Sequence, residues 1–333
     1  MILGFELTLL IYASLAGLFR LLWGVSPRAA LSMLCVAGAG LIAVANPLLA
    51  LYLAAQVLWV LCLYALCRLF PGHATWLSWL SFLGLIPYNM AIWIDGMPVL
   101  PGLRDTLQGG SLPLVGWTVG ATFFVVKSFV GLREALREGQ LRPLPLLAGL
   151  TFLPAFPAGP IFGNQPFRPE RIADLLPLRS LGIAAMKLGW GTAALYVIAP
   201  ALRAEAAGNG TGILPTVADV YLLFAALFFD FSGYSLIAIA LAAFFGVTLP
   251  ENFNRPYLAT SIREFWQRWH MSLSAFIATY LFKPYVRHTG APRQGIFLAF
   301  IAVGLWHEMT LKYLFWGIGH GAALSLAMKP PRL

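Results

Sequence analysis

Two histidines in the C-terminal third of the sequence are the side chains best suited to acid–base chemistry. The first, His307, lies in the apolar stretch 295–316, with Gly304 one helical turn before it and Thr310 one turn after it. An ionisable side chain at membrane depth is costly, so it is by default a candidate functional residue that faces the interior of a helix bundle. A small neighbour on the same face lets a helix or a substrate approach closely. We therefore predict a functional role for His307.

The second histidine, His270, ends the run SIREFWQRWH, which has the pattern of an amphipathic helix. Ser261 stands three residues before Glu264, which is the capping-box spacing that begins a helix. Trp266 and His270 follow at four-residue spacing on the apolar side, and Glu264 and Arg268 are ordered for an ion pair on the polar side. This pattern predicts a helix at the cytoplasmic interface with His270 pointed inward. Helix geometry alone also fits a simple interfacial anchor whose histidine only hydrogen-bonds.

Further polar residues in apolar surroundings fit structural roles. Asp230 lies within LLFAALFFDFSGYSLIAIA, where a carboxylate needs a partner, so a scaffold role is favoured over catalysis. Glu308 and Lys312 are four residues apart and could neutralise each other. His320, in WGIGHG, fits either a packing role or a ligand contact.

The composition is that of an integral membrane protein. Hydrophobic residues make up 59% of the chain, charged residues 11%, and the mean hydropathy is +0.78, whereas soluble domains carry about 25% charged residues. The net charge of +9 arises from Arg and Lys residues between apolar stretches, so it indicates membrane orientation and no nucleic-acid partner. Cys35, Cys62 and Cys67 lie in apolar segments without metal-ligand spacing, so neither a metal site nor a disulfide is predicted.

The chain is predicted to be an all-α polytopic protein that forms one membrane domain, 1–333. Segments apolar enough to cross a bilayer lie near 5–23, 29–45, 47–69, 75–94, 112–132, 180–200, 216–247 and 295–316, and shorter apolar runs cover 146–157 and 317–328. Because 216–247 exceeds one span and contains Asp230 and Gly233, we predict a strongly tilted helix or a break there. The run LPAFPAGPIFGNQP, 153–166, predicts a re-entrant loop that lines a cavity.

The distribution of basic residues predicts the orientation. When the segments between successive spans are assigned to alternate sides of the membrane, most of the early arginines fall on one side. They are Arg20, Arg28, Arg68, Arg133, Arg137 and Arg142. Only Arg104 falls opposite, so the positive-inside rule places the N-terminus outside. The first segment lacks a basic leader and a cleavage site, so it is expected to remain as a span. Lys127 and Lys187 lie near segment ends and are expected to snorkel.

Three runs of sequence together resemble a known family. The run DFSGYSLIAIALAAFFGVTLPENFNRPYLATSIREFWQRWHMSLS, 230–274, resembles the central signature of the bacterial membrane-bound O-acyltransferases, the group of the alginate O-acetylation and teichoic-acid D-alanylation membrane proteins. GLWHEMTLKYLFWGIGHG, 304–321, resembles a second signature and PAGPI, 157–161, a third. The resemblance implies a ring of tilted helices around a funnel or tunnel, with re-entrant and interfacial half-helices. It further implies N-terminal spans over 1–145 and an acyltransferase core over 146–328.

The resemblance also implies a reaction and a set of site residues. His307 corresponds to the near-invariant histidine of the family and His270 to the histidine of its RWH motif, so both are expected to be catalytic. Other residues in the matched motifs are expected to line the substrate path: Asp230, Tyr234, Asn252, Asn254, Trp266, Trp269, Trp306, Gly159, Pro160 and His320. A neutral His307 can accept a proton from the attacking hydroxyl, and His270 can hold the acyl carbonyl or orient the acceptor.

The implied donor is an acyl thioester on an acyl carrier protein or coenzyme A at the cytoplasmic face, with no bound cofactor. The implied acceptor is a hydroxyl group towards the outside of a bacterial plasma membrane, reached with the help of an extracytoplasmic acyltransferase- or hydrolase-like partner. Two alternatives remain open from the sequence. One is a lipid or sterol O-acyltransferase of the same family, and the other is a transporter or channel whose polar path contains Asp230, His307 and Glu308.

Overall fold

The computed structural model describes residues 5–85, 114–156, 158–174, 176–206, 213–307 and 309–328. Within these ranges the chain forms α-helices joined by turns and irregular segments, and these ranges contain no β-strand. The prediction of an all-α polytopic membrane protein is therefore confirmed. The chain divides into two compact units, Met1–Pro250 and Glu251–Leu333. The funnel and the single membrane domain stay predictions.

The first unit contains nine of the helices that can be described. They are α1 (Phe5–Val25), α2 (Pro27–Ala45), α3 (Pro47–Leu69), α4 (Ala74–Trp79), α5 (Leu114–Glu138), α6 (Pro143–Leu150), α7 (Leu178–Ala193), α8 (Ala199–Ala206) and α9 (Ile213–Phe244). The described part of the second unit contains α10 (Ile262–Arg268), α11 (Met271–Ile277), α12 (Lys283–Thr289), α13 (Pro292–His307) and α14 (Leu311–Ala327).

Four helical segments of the described chain are long and apolar enough to cross a bilayer, namely Pro27–Ala45, Leu49–Leu69, Leu178–Ala206 and Thr216–Phe244. Each coincides with a predicted span. The predicted span 295–316 is wrong as a continuous helix, because α13 ends at His307 and α14 begins at Leu311. The run 146–157 forms the short helix α6 followed by irregular backbone. Short helical turns occupy 71–84, and the remainder of the predicted span 75–94 lies mostly outside the described residues.

Local sequence explains the sharp connections between α1, α2 and α3. The Ser26 hydroxyl oxygen accepts a hydrogen bond from the Ala29 N–H at 3.3 Å, and the Asn46 side-chain oxygen accepts one from Leu49 N–H at 2.9 Å. A proline follows each cap as the first helical residue, where its missing N–H is not needed. Each helix therefore restarts after one capping residue.

Helix α9 is continuous through Asp230 and Gly233, so the alternative of a break there is wrong. Its 32 residues correspond to about 48 Å. The irregularity lies in its neighbour, because a π turn over Ala194–Ile198 interrupts the path from α7 to α8. An added Cβ on Gly233 would lie 2.8 Å from the carbonyl oxygen of Gly191 in α7. The small residues therefore let the two helices cross in backbone contact.

In the second unit, α13 and α14 form a tight hairpin. A methyl group on Gly304 would lie 2.3 Å from the carbonyl oxygen of Tyr313, and one on Gly317 would lie 2.6 Å from that of Phe300. The expectation that Gly304 permits close approach is confirmed for a helix, and that helix is α14. This contact holds the end of α13, and therefore His307, against α14.

Candidate active site

The start of α10 has the capping arrangement that its sequence predicts. The Glu264 N–H donates to the Ser261 hydroxyl at 3.2 Å, and the Glu264 carboxylate accepts bonds from the Thr260 N–H at 2.7 Å and the Thr260 hydroxyl at 2.9 Å. Arg268 also pairs with Glu264. The bonds from Thr260, the backbone bond first, lower the pKa of the Glu264 carboxyl. The cap is therefore present at neutral pH and weakens as acidification protonates Glu264.

Replacing Ser261 with alanine is expected to lower the free energy of unfolding by about 1 kcal/mol, because α10 loses its N-terminal cap. The substitution should also lower activity, since α10 carries Trp266 and leads into His270. Ser26→Ala is the matched control, because Ser26 caps α2 in the other unit. Denaturation of the detergent-solubilised variants gives the stability change. Equal losses of activity in both variants would contradict a specific role for the α10 cap.

His270 reaches the interior by a backbone turn and not by continuing α10, so the prediction of one helix through His270 is wrong. The helix ends at Arg268, and His270 adopts a left-handed conformation with φ of 42° just before α11. A non-glycine residue in this region is strained by about 1–3 kcal/mol and persists only where its surroundings enforce it. His270 is nevertheless 4% exposed, as the inward orientation requires.

The residues around Asn252 enforce this turn. The Met271 N–H donates to the Asn252 carbonyl at 2.8 Å, and the Asn254 N–H donates to the Arg268 carbonyl at 2.9 Å. The Ser272 hydroxyl also donates to the Asn252 side-chain oxygen at 2.5 Å. Asn252 is buried and Asn254 is exposed. Both asparagines therefore hold the backbone on either side of His270.

His307 is the last residue of α13 and its side chain is exposed. Its ring centroid lies 4.9 Å from that of Trp306, 5.7 Å from that of Tyr313 and 5.9 Å from that of Trp316. His270 and His307 are within electrostatic range of each other. The imidazole thus combines an accessible position with a mainly aromatic environment. Glu308 lies outside the described residues.

Aromatic rings connect His307 to two other predicted site residues. Trp316 contacts His307, and its ring centroid lies 4.7 Å from that of His320 and 5.6 Å from that of Trp266. His320 also packs edge-to-face against Trp266 at 5.1 Å. Trp269 stacks on Phe265 at 5.6 Å, and Phe265 packs edge-to-face against Trp266 at 5.3 Å, so Trp269 joins the same rings through Phe265. His320 is therefore part of the His307 surroundings.

Two buried hydrogen-bond donors lie in this region. The indole nitrogen of Trp266 and the hydroxyl of Thr310 have no hydrogen-bond partner among the described residues. Thr310 precedes α14 and is not on the same helix as His307, so the predicted continuation of that helix face is wrong. Buried polar groups are normally satisfied. Both donors are therefore available to an oxygen atom of a substrate or to water.

Other predicted site residues lie in the first unit. Asp230 pairs with Arg203 at 2.7 Å, and both side chains are partly exposed, so the carboxylate has an ion-pair partner, while its scaffold role stays a prediction. Tyr234 lies in electrostatic range of Tyr12 and Tyr196. Gly159 and Pro160 are buried in irregular backbone, and an added Cβ on Gly159 would lie 2.5 Å from the Cα atom of Ala155.

The structure therefore brings His307, Trp306, Trp266 and His320 into one aromatic cluster and places His270 within electrostatic range of His307. Sequence reasoning missed Trp316 and Tyr313, which touch His307. Trp316 precedes His320 by four residues, so the helical spacing could have revealed it.

These observations define a class of protein, a polytopic helical membrane protein with a histidine and aromatic site in its C-terminal unit. Residues 214–329 match the family model "MBOAT, membrane-bound O-acyltransferase family". This match covers the runs 230–274 and 304–321, whose motifs resemble the same family.

Several bacterial proteins are similar to this chain. It is 28% identical over 316 residues to a teichoic acid D-alanyltransferase of Streptococcus thermophilus, a match that covers 85% of this chain and 71% of that protein. It is 30% identical over 229 residues to a teichoic acid D-alanyltransferase of Bacillus subtilis, covering 61% of this chain and 56% of that protein. It is 42% identical over 107 residues to a peptidoglycan O-acetyltransferase of Helicobacter pylori, covering 30% and 20%. The chain thus spans about half of the Bacillus relative and a fifth of the Helicobacter one.

Proposed function

We propose that the protein transfers a small acyl group, acetyl or D-alanyl, from a thioester donor to a hydroxyl group of an extracytoplasmic glycan or teichoic acid. The observation that carries this proposal is the accessible His307 ring in an aromatic cluster within the segment that matches the O-acyltransferase family. The names of the relatives include both D-alanyl and O-acetyl transfer. Both acyl groups therefore belong to the proposal.

The proposed reaction uses His307 as a general base. As the hydroxyl oxygen of the acceptor attacks the thioester carbonyl, its proton moves to the neutral imidazole of His307. The carbon–sulfur bond then breaks, and the proton passes from the imidazolium to the leaving thiolate, so that an ester and a free thiol form. His270 stabilises the negative charge that develops on the carbonyl oxygen. General-base catalysis of this kind contributes about 10²–10⁴-fold to the rate.

The proposed donor reaches the site from the cytoplasm on an acyl carrier protein or as acyl-coenzyme A, and it is a substrate, with no bound cofactor required. The early arginines support a cytoplasmic side and an N-terminus outside. An extracytoplasmic acyltransferase- or hydrolase-like protein is the proposed partner for delivery to the final acceptor.

Proteoliposomes that contain the purified protein test this function. The donor is acetyl-coenzyme A, acetyl carrier protein or D-alanyl carrier protein, and it is added to the solution outside the vesicles. A glycan or teichoic-acid acceptor is enclosed inside the vesicles. The expected result is release of free thiol matched one to one by base-labile ester on the acceptor. Ester formation on a lipid alcohol from long-chain donors would favour the lipid alternative, and solute flux without a donor would favour a transporter.

A further inference from the structure

Lys127 is a buried charged residue that the proposed reaction does not use. It lies in α5 with 3% of its surface exposed, so the prediction that it snorkels is wrong. Its ammonium group donates a hydrogen bond to the carbonyl oxygen of Ala155, and Nζ lies 4.6 Å from the centroid of the Phe162 ring. Both partners belong to the irregular backbone that the sequence identified as re-entrant. Lys127 therefore contacts this run at two places, the backbone of Ala155 and the side chain of Phe162.

Glu134 holds the other end of the same backbone. It lies seven residues after Lys127, which is two helical turns and about 10 Å further along the same face of α5. Its carboxylate accepts a hydrogen bond from the Asn164 N–H at 2.9 Å. An added Cβ on Gly163 would lie 2.5 Å from this carboxylate, so glycine lets the carboxylate approach the backbone closely. A lysine side chain and a glutamate side chain on one helix face therefore hold residues 155 and 164.

The polarity of each contact matches the backbone group that it meets. The Lys127 side chain, a donor, meets the carbonyl oxygen of Ala155, and the Glu134 side chain, an acceptor, meets the N–H of Asn164. Irregular backbone inside a membrane protein needs such partners, because helix and strand bonds are missing. Apolar packing could bury the segment but could not fix particular carbonyl and N–H groups, since it is non-directional. A buried charge is costly, which favours a role in positioning over one in stability.

We infer that Lys127 and Glu134 form a polar clamp that fixes residues 155–156 and 158–164, and with them Gly159 and Pro160. The two side chains are positioning residues for acyl transfer, because Gly159 and Pro160 belong to the segment that the family resemblance assigns to the substrate path. This catalytic consequence rests on the proposed function. The mechanical part of the inference, that the clamp fixes the segment, is independent of the proposed function.

The variants Lys127→Met and Glu134→Met test the clamp, because methionine can neither donate to the Ala155 carbonyl nor replace the carboxylate as acceptor for the Asn164 N–H. Methionine keeps a long unbranched side chain, so the protein should still fold, with a lower thermal midpoint because a buried backbone group loses its partner. Hydrogen exchange in a peptide covering 158–164 should become faster in both variants. With the thioester donor varied, kcat/KM should fall by about 10- to 100-fold, because the segment belongs to the proposed substrate path and a misplaced substrate reacts more slowly by this order.

Matched variants distinguish a positioning role from a general effect of losing a charge. Lys127→Arg should restore part of the activity, since a guanidinium can also donate to a carbonyl and lie over a ring. Lys187→Met, in α7, should leave exchange in 158–164 unchanged. The double variant should lose little more than the worse single variant, because both residues act on one segment. Unchanged exchange and kinetics, or loss of folded protein in both single variants, would overturn the clamp. A wild-type protein without acyl transfer would refute the proposed function, while the exchange measurement would still decide the clamp.

Discussion

Replacing His307 with alanine is expected to lower the rate of acyl transfer by about 10²–10⁴-fold, the usual contribution of a general base. The side chain is exposed at the end of α13, so its loss leaves no large buried cavity and the protein should still fold. The loss should appear in kcat, because the proton is transferred in the transition state. The measurement is the initial rate of ester formation in proteoliposomes at saturating donor.

The matched control for this variant is His288→Ala, which removes an exposed histidine from α12. It should retain the full rate. Added imidazole should restore part of the rate of the His307→Ala protein, since a free base can enter the vacated space. Full activity of a folded His307→Ala protein would exclude the general-base role and with it the mechanism proposed above.

Replacing Gly304 with alanine is expected to have the largest structural effect. The new methyl group would lie 2.3 Å from the carbonyl oxygen of Tyr313, so the α13–α14 hairpin has to open. Overpacking of this kind typically costs about 1–3 kcal/mol, and here the obstacle is backbone, which cannot rotate away. Opening the hairpin also moves His307 away from Tyr313 and Trp316. Thermal unfolding in detergent and acyl transfer should therefore both decline.

Gly319→Ala provides the control in the same hairpin, because an added Cβ at Gly319 meets no atom within 4 Å. Alanine favours a helix over glycine by up to about 1 kcal/mol, so this variant should be as stable as the wild type or slightly more stable. If Gly304→Ala behaved like Gly319→Ala, the close packing of α13 on α14 would be refuted.

Local spacing in the sequence was enough to predict several features of the site. The cap at Ser261, the pair of Glu264 with Arg268, and the buried irregular backbone around Gly159 all follow from residues within a few positions of one another. The need of Asp230 for a partner also followed from its apolar surroundings. The identity of that partner, Arg203, did not, because the two residues are 27 positions apart and meet only when α8 packs on α9.

The wrong predictions concern residues whose conformation or burial depends on groups far away in the sequence. The left-handed turn at His270 depends on the bonds at Asn252 and Asn254. The end of α13 at His307 interrupts a stretch that hydropathy alone makes continuous. Lys127 sits near the end of an apolar segment, yet the carbonyl of Ala155 and the ring of Phe162 keep it buried.

The sequence by itself determined that the chain is a helical membrane protein, where most of its apolar helices lie, and which family its motifs match. Composition and spacing carry this information because hydrophobicity and helix capping act over a few turns. Only the tertiary structure decided that His307 ends a helix, that Trp316 joins it to His320, and that Lys127 and Glu134 of α5 hydrogen-bond to the irregular segment. Those arrangements depend on which distant backbone and side-chain atoms meet when helices pack.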